Sequence, residues 1–474
     1  MYEKEIVING APVKCWPLCA SQRLHYFTML FSPPQVLNIG TGLYVKDDVD
    51  FGVLKQAVYK AYERFDSMRL RFVKDPDNEQ NVYQYIVPFE DRDIEFKDFS
   101  KWREEAAHEE MCRWTAVPFD PIGKPLNRVV LVKLPGGYNG LYLNVNHMTM
   151  DSSSIIGFDR CVLEFYCSMK YGTETPAPMQ SFIKQLEKDL AYEDNSPAKQ
   201  RDEKFWMERI SQSEPMFTGF TGPEYLISTR RELNNPELRS AKMPIADPSA
   251  AISVYNLEKE PSMRLIKFCE LYNVPMASLL AMGLRTVLSK FNGDEKDVSI
   301  INCIARRGTI SEKYSGGSRI HFFPLRTVLD PELTFIEGIR AVQAEQNKLY
   351  RHANYDPIAM RMAQDKQWNV PQGACYESIS LTYQPLTLNQ SKELPDIPYM
   401  SKWYTNGVAS HALYLTVMHR PEDNGLGFNF EYKKAVVSKE EMDYFYYYLC
   451  RVLFRGIEDE TRTIGQILEM ILPL

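Results

Sequence analysis

A histidine and an aspartate four residues apart, His147 and Asp151, are the residues of this sequence best suited to chemistry. They lie in the stretch LYLNVNHMTMDSSSI (141–155), where a strand-like run ends at His147 and a helix-like run follows Asp151. In a strand, side chains alternate between two faces. One apolar face then ends in His147, whereas Asn146 belongs to the opposite face. An apolar face that delivers one imidazole at its end could place a general base.

The same pair also has a purely structural interpretation. Seven histidines in a chain of this composition give roughly 0.4 chance matches to the spacing His-x-x-x-Asp. Asp151 and Ser152 stand where helix N-caps stand, and His147 could be a hydrogen-bonded core histidine. Taken alone, the spacing favours this structural interpretation, so the rest of the chain has to decide.

The composition limits the classes of protein that need considering. The chain has 474 residues, 44% hydrophobic and 25% charged, which is ordinary for a globular protein of more than one domain. A net charge of −7 argues against nucleic acid as the main partner. No apolar run reaches the length that spans a membrane, and the N-terminal segment lacks an apolar signal core. We therefore expect a cytoplasmic protein without a membrane partner.

Cysteine and histidine spacing gives no sign of a metal site. The nine cysteines are scattered without a CxxC pair, which is typical of reduced thiols rather than of disulfides or a zinc site. No HExxH or His-x-His spacing occurs, nor do a GxSxG elbow, a GxGxxG loop or a P-loop. We predict no bound metal and no bound cofactor.

The elements that must position His147 follow a mixed α and β pattern. An amphipathic helix is predicted over 152–171, and the linker GTETPAP follows it. The segment 212–250 is rich in Pro, Gly and Ser and is predicted to be irregular. A buried helix over 274–291 and a closing helix over 440–457 then indicate a second unit.

In this order, the segments resemble those of the condensation domains of nonribosomal peptide synthetases, within the chloramphenicol-acetyltransferase-like acyltransferase superfamily. NHMTMDS (146–152) occupies the place of the family's HHxxxDG signature. FDSMRLRF (65–72) is similar to its HPALRTRF segment, and PFDPIGKPLNRVVLVKL (118–134) to its PFDL-x-GPL-x-R segment. ARRGTISEKYSGGSRIHFFPLR (305–326) resembles its NR…GxFxNxLxLR segment, with Arg307 on the first arginine.

The resemblance implies an α/β (α+β, mixed-sheet) fold of two chloramphenicol-acetyltransferase-like lobes in a V with a central tunnel. We expect an N-terminal lobe over 1–175 that carries His147, and a crossover helix with the C-terminal lobe over 176–474. The implied activity is that of an acyltransferase that joins a carrier-bound acyl or aminoacyl thioester to an amine. The implied partners are acyl or peptidyl carrier proteins and a small amine or alcohol acceptor. The carrier's phosphopantetheine, or CoA, would bear the thioester.

The resemblance also assigns roles to residues. His147 matches the second histidine of the signature, so we predict it to be the general base or the residue that positions the amine. Asp151 matches the signature aspartate, which in the family is structural and pairs with an arginine. Arg69 and Arg71 are the candidates for its partner here, and such a pair would support the His147 loop.

Departures from the family pattern keep two alternatives open. Asn146 stands where the family has its first histidine, and Ser152 stands where it has glycine; both, with Arg307, are predicted neighbours of the site. His321 replaces an asparagine of the last segment and is predicted to be structural. The alternatives are a related O- or N-acyltransferase that uses CoA or a soluble acceptor, and a non-catalytic interaction module.

Because no carrier or adenylation segment is present, we expect a free-standing domain that borrows carriers in trans. SGGS (315–318) only faintly resembles the attachment site of a carrier protein, and we do not predict one.

Overall fold

A computed structural model describes residues 2–90, 92–385, 388 and 398–471 of the chain, which form two compact units. Unit 1 comprises Met1–Pro197, Ala305–Ile320 and Leu386–Val408. Unit 2 comprises Ala198–Ile304, His321–Pro385 and Ala409–Leu474. The units therefore interleave along the chain, because two segments from its second half belong to unit 1. The division into lobes at 175/176, the V and the tunnel stay predictions.

Unit 1 consists of two sheets with helices packed on them. Numbered along the whole chain, its strands are β1 (Lys4–Ile8), β2 (Ala11–Pro17), β3 (Asn38–Val45), β4 (Leu70–Asp75), β5 (Asn78–Ile86), β6 (Glu95–Asp98), β7 (Asn127–Lys133), β8 (Asn139–Asn146) and β15 (Tyr399–Tyr404). Its helices are α1 (Ala20–Leu30), α2 (Phe51–Arg64), α3 (Glu104–Thr115), α4 (Ser152–Tyr171), α5 (Phe182–Glu193) and α10 (Ile310–Tyr314). The two sheets have the strand orders β1-β2-β5-β4 and β15-β3-β8-β7-β6.

Strand β8 lies at the centre of the larger sheet, antiparallel to both β3 and β7. Leu143 belongs to the apolar cluster that α2 and α4 share, whereas Tyr142 packs in the cluster on the α3 side. The predicted alternation is therefore confirmed. The strand ends at Asn146, one residue earlier than predicted, and the backbone N–H of His147 donates to Leu37 O at 2.7 Å. His147 thus leaves the sheet at the end of an apolar face.

Helix α4 begins and ends where the sequence predicted. Asp151 is its N-cap, and its side chain accepts a hydrogen bond from the backbone N–H of Ser154 at 3.0 Å. Gly172 ends it in the left-handed conformation, with φ at 71°. Apolar side chains at helical spacing, such as Ile155, Phe158 and Val162, bury one face of α4 in the cluster shared with α2. Cap and core therefore fix the start of α4 directly behind the His147 turn.

Unit 2 is a larger mixed unit whose main sheet has the strand order β10-β17-β16-β14-β11-β12. Its strands are β9 (Ala241–Lys242), β10 (Ala250–Leu257), β11 (Asp297–Ala305), β12 (Ile320–Val328), β13 (Ala374–Cys375), β14 (Ser380–Gln384), β16 (Leu413–His419) and β17 (Leu426–Lys433). Its helices are α6 (Pro197–Gln212), α7 (Glu224–Glu232), α8 (Lys259–Tyr272), α9 (Met276–Phe291), α11 (Phe335–Arg351), α12 (Pro357–Gln367), α13 (Lys439–Glu458) and α14 (Ile464–Met470).

The prediction of an irregular segment over 212–250 is wrong in part, because α7 and β9 lie within it. Helix α7 is short and polar and buries only Leu226 and Thr229, so its apolar periodicity is weak. The buried helix predicted over 274–291 is confirmed as α9. Within the described ranges no single helix has the length and hydropathy of a membrane span, and only the bent pair α8–α9, at 112°, meets that test by length and composition.

Gly140 provides a test of the central sheet. A Cβ added there would lie 2.0 Å from the carbonyl oxygen of Leu43 in the neighbouring strand, so backbone would have to move. We expect Gly140→Ala to lower the free energy of unfolding by about 1–3 kcal/mol, measured by urea denaturation. The control is Gly157→Ala in α4, where the nearest atom outside the helix backbone, on Phe65, lies 3.8 Å away. Equal stabilities of the two variants would contradict the close approach of β3 and β8.

Candidate functional site

The turn that carries His147 is held by backbone and side-chain hydrogen bonds within unit 1. Asn146 is buried, and its Oδ1 accepts from the backbone N–H of Met148 at 3.0 Å. The N–H and hydroxyl of Thr149 both donate to Asn146 O, at 2.9 and 2.8 Å. Asn146 therefore braces the backbone on either side of His147.

The imidazole of His147 is partly exposed and has two polar or aromatic neighbours. Its Nδ1 lies 3.4 Å from Ser318 Oγ, and its ring stacks on that of His25 with centroids 4.0 Å apart. Burial lowers the pKa of His147 below the ordinary value of 6.5, and the Asp151 carboxylate and hydrogen bonds to the backbone of His147 and Met150 oppose this shift without reversing it. The ring is therefore neutral at neutral pH.

Stacking reinforces that neutrality. Two imidazolium cations 4.0 Å apart would repel each other by about 4 kcal/mol at an effective dielectric constant of about 20. The stack therefore disfavours a state in which both rings are imidazolium cations.

Asp151 is the charged anchor behind this turn. Its carboxylate is buried, with 1% side-chain exposure, and Arg307 Nη2 contacts both oxygens at 2.7 and 2.8 Å. The backbone N–H of Ser154 and of Arg319 also donate to it, at 3.0 and 2.9 Å. Burial alone would raise the pKa of Asp151, but Arg307 and the two backbone donors outweigh it and hold that pKa below its usual value. Asp151 is therefore ionised and fully paired.

The partner of Asp151 is thus Arg307, and the expectation of Arg69 or Arg71 is wrong. Arg69 pairs with Asp66 at 2.8 Å and donates to a backbone carbonyl, whereas Arg71 donates to the carbonyl of Leu70. Arg69 and Arg71 were expected because they lie in the 65–72 segment, which resembles the family segment that contains the partner arginine. Residues 305–320 also belong to unit 1, however, and they place the Arg307 guanidinium against Asp151. Arg307 was predicted only as a neighbour of the site.

The returning segment is fixed at several points. Arg307 also donates to the backbone carbonyls of Glu312 and Gly317. Arg319 makes a two-pronged contact with Asp189 of α5, at 2.6 and 3.0 Å. Gly317 has φ at +82°, and a Cβ there would meet the ring of Phe182 at 2.6 Å, so this close contact needs glycine. The SGGS stretch therefore serves packing, and it delivers Ser318 to His147.

Two residues near His147, His25 and Ser318, were not predicted from the sequence. His25 lies on α1 among apolar residues and gave no motif, and Ser318 is in the stretch considered only for carrier attachment. The two predicted neighbours at the signature differ: Asn146 is buried in the turn, whereas Ser152 is the first residue of α4 and partly exposed. In unit 2, His321 is fully buried with Nδ1 2.8 Å from Ala353 O, which agrees with its predicted structural part.

The family model of the condensation domain matches residues 14–470, nearly the whole chain. The chain belongs to the condensation-domain family. Condensation domains are acyltransferases that form amide bonds in nonribosomal peptide synthesis, so the predictions of the family and of an acyltransferase are confirmed. Within the described residues no group of three or more His, Cys, Asp or Glu side chains could hold a metal ion.

Relatives of known function agree with this assignment. A plipastatin synthase of Bacillus subtilis (strain 168) is 22% identical over 94% of the chain, and the match covers 16% of that protein. A surfactin synthase of the same strain is 23% identical over 95% of the chain, and the match covers 12% of it. The chain thus spans only a small part of the length of these much longer relatives.

Two solved structures share the fold. The first condensation domain of the calcium-dependent antibiotic synthetase, in complex with a substrate analogue, has a TM-score of 0.78 at 18% identity, covering 95% of this chain and 98% of that one. A mutant starter condensation domain of rhizomide synthetase, in complex with C8-CoA and Leu-SNAC, has a TM-score of 0.76 at 19% identity, covering 95% and 96%. The predicted fold class is therefore confirmed.

Removal of the Asp151 charge tests the ion pair that supports the site. We expect Asp151→Asn to lower the free energy of unfolding by about 3–5 kcal/mol, because Arg307 keeps a buried charge without a counterion. Asp66→Asn is the matched control, since it breaks the more exposed Asp66–Arg69 pair and should cost at most about 1 kcal/mol. The measurement is urea denaturation followed by tryptophan fluorescence. A cost for Asp66→Asn as large as that for Asp151→Asn would contradict the assignment of Arg307 as the essential partner.

Proposed function

We propose that this chain forms an amide bond between an acyl or aminoacyl thioester and an acceptor amine, with His147 as the general base or amine-positioning residue. The observation that carries the proposal is the state of His147: a neutral, partly exposed imidazole at the end of a buried strand. The Asp151 carboxylate immediately behind it accepts hydrogen bonds at both oxygens from Arg307 and from two backbone N–H groups. Asp151 is therefore a structural support, and His147 is the group with capacity for proton transfer.

The reaction requires one proton acceptor and one proton return. The amine nitrogen attacks the thioester carbonyl, a C–N bond forms, and the nitrogen loses a proton to the imidazole. The C–S bond then breaks, and the imidazole returns that proton to the leaving thiolate. The products are an amide and a free thiol, and no electron carrier is needed. Because Nδ1 is directed towards Ser318, Nε2 of His147 is the nitrogen assigned to the transfer.

Donor and acceptor are proposed by chemical class. The acyl group arrives as a thioester on the phosphopantetheine of an acyl or peptidyl carrier protein, as expected for a domain related to a plipastatin synthase. The solved relative that holds C8-CoA and Leu-SNAC supports an acyl thioester as donor and an aminoacyl thioester as acceptor. The same complex favours a second candidate, in which CoA rather than a carrier bears the donor and the acceptor is an amine or an alcohol. Supply of carriers in trans and a cytoplasmic location stay predictions.

A product assay by mass spectrometry tests the reaction. Wild-type protein should form an amide from carrier-bound acyl thioesters and aminoacyl acceptors, and His147→Ala should reduce the rate by about 100-fold or more, as expected for loss of a general base. His108→Ala is the control, because it removes a half-buried imidazole elsewhere in unit 1. Products from CoA donors alone, or with alcohols, would select the second candidate. A well-folded wild-type protein that gives no product with any donor would leave the non-catalytic module as the explanation.

The pH profile tests the protonation state of His147. A base whose pKa lies below 6.5, the ordinary histidine value, is protonated and loses activity at a correspondingly lower pH. We therefore expect the acid limb of kcat/KM, which reports ionisation of the free protein, to be centred below pH 6.5. A weakly basic acceptor amine keeps titration of the substrate out of the profile. An acid limb centred at pH 7 or above would contradict a base whose pKa is lowered.

A further inference from the structure

A second histidine lies against His147. His25 on α1 is 4% exposed, and its ring stacks on the His147 ring with centroids 4.0 Å apart and planes at 25°. Ser318 Oγ lies 3.0 Å from His25 Nε2 and 3.4 Å from His147 Nδ1. One hydroxyl therefore lies within hydrogen-bond distance of both imidazoles, whose faces are in contact. The reaction proposed above contains no step that involves His25.

Helix α1 presents this histidine from a fixed position. Gln22, one turn before His25 on the same face, donates from Nε2 to Met148 O in the His147 turn at 3.3 Å. Ser21 Oγ lies 3.3 Å from Nη2 of Arg306, in the segment that carries Ser318. Helix α1 thus contacts both the turn that bears His147 and the segment that bears Ser318, so the stack is held from both sides.

The placement of Ser318 is equally determined. The backbone N–H of Arg319 donates to Asp151 Oδ2 at 2.9 Å, and Gly317 O accepts from Arg307 and from the hydroxyl of Ser154. The same ion pair that supports the His147 turn therefore fixes the serine that faces its ring.

Hydrogen-bond polarity gives the contact a direction. An imidazole acting as a base through Nε2 must carry its proton on Nδ1, and that N–H can donate to Ser318 Oγ. The Ser318 hydroxyl then donates to His25 Nε2. The N–H of His147 and the hydroxyl of Ser318 then each have an acceptor, and the ring contact limits rotation of the His147 side chain.

We propose that His25 is a positioning residue for His147, acting through the stacked ring and through the hydroxyl of Ser318. The inference rests on the proposed function, because positioning matters only if His147 acts on the substrate. His25 itself does not touch the reacting atoms; it fixes the plane of the base. A misplaced base loses rate without losing substrate affinity.

Two substitutions separate the contacts. His25→Leu removes both the ring and the acceptor, whereas His25→Gln keeps an acceptor for Ser318 without the aromatic ring. The matched control is His108→Leu, which replaces a half-buried histidine of α3 in the same unit. Circular dichroism checks that each variant is folded.

The first readout needs no substrate. In protein labelled on its histidine rings, the His147 signals are identified by their loss in His147→Ala. Removal of a stacked ring removes its shielding, so the His147 ring protons should move downfield in His25→Leu and in His25→Gln and should stay in place in His108→Leu. Unmoved signals in both His25 variants would overturn the proposal, whatever the activity. If His25→Leu does not fold, His25→Gln carries this readout.

The second readout is kinetic. We expect His25→Leu to lower kcat about tenfold, with KM within about twofold of wild type. The kcat of His25→Gln should be at least about threefold higher than that of His25→Leu. A wild-type kcat in His25→Leu, or a loss confined to KM, would overturn the proposal. If the wild type itself forms no product, the proposed function fails, and the ring spectra still decide whether His25 positions His147.

Discussion

The buried ion pair between Asp151 and Arg307 is the interaction on which the site depends. It joins the start of α4 to a segment more than 150 positions later in the chain, and Arg307 and backbone donors satisfy both carboxylate oxygens. A charge pair so deeply buried contributes little net stability, but loss of either partner is costly because the other charge stays buried. The pair therefore fixes geometry more than it adds stability, and the turn between β8 and α4 takes its position from it.

This arrangement separates two tasks that neighbouring residues of one motif could have shared. Asp151 is ionised, saturated and buried, so it has no free capacity for proton transfer. His147 is neutral because burial lowers the pKa of its imidazole, and it remains partly exposed. The desolvation that makes an isolated charge unfavourable at His147 is overcome at Asp151 by the guanidinium and by two backbone N–H groups. Differences of environment over four residues thus produce one structural group and one reactive group.

Glycine and serine in the returning segment show how packing density serves this geometry. Gly317 lies too close to Phe182 for any side chain, and this approach brings the Ser318 hydroxyl within hydrogen-bond distance of both imidazole rings. The Asn146 side chain also fixes the local backbone, because its Oδ1 accepts a hydrogen bond from Met148 N–H and so closes the turn around His147. The two residues that depart from the family signature both fit this local structure. Asn146 closes the turn with its hydrogen bonds, and Ser152 is the first residue of a capped helix.

Local patterns in the sequence determined the strand that ends beside His147, the helix over 152–171 with its Asp151 cap, and the family itself, because alternation, helical period and capping depend on residues close in the chain. The same local logic failed for α7, whose apolar face is too small to give a periodic signal. Only the tertiary structure decided that Arg307, rather than Arg69 or Arg71, pairs with Asp151, and that His25 and Ser318 face His147. These contacts join residues more than 100 positions apart, and which distant side chains meet depends on how the whole chain packs, which no local pattern contains.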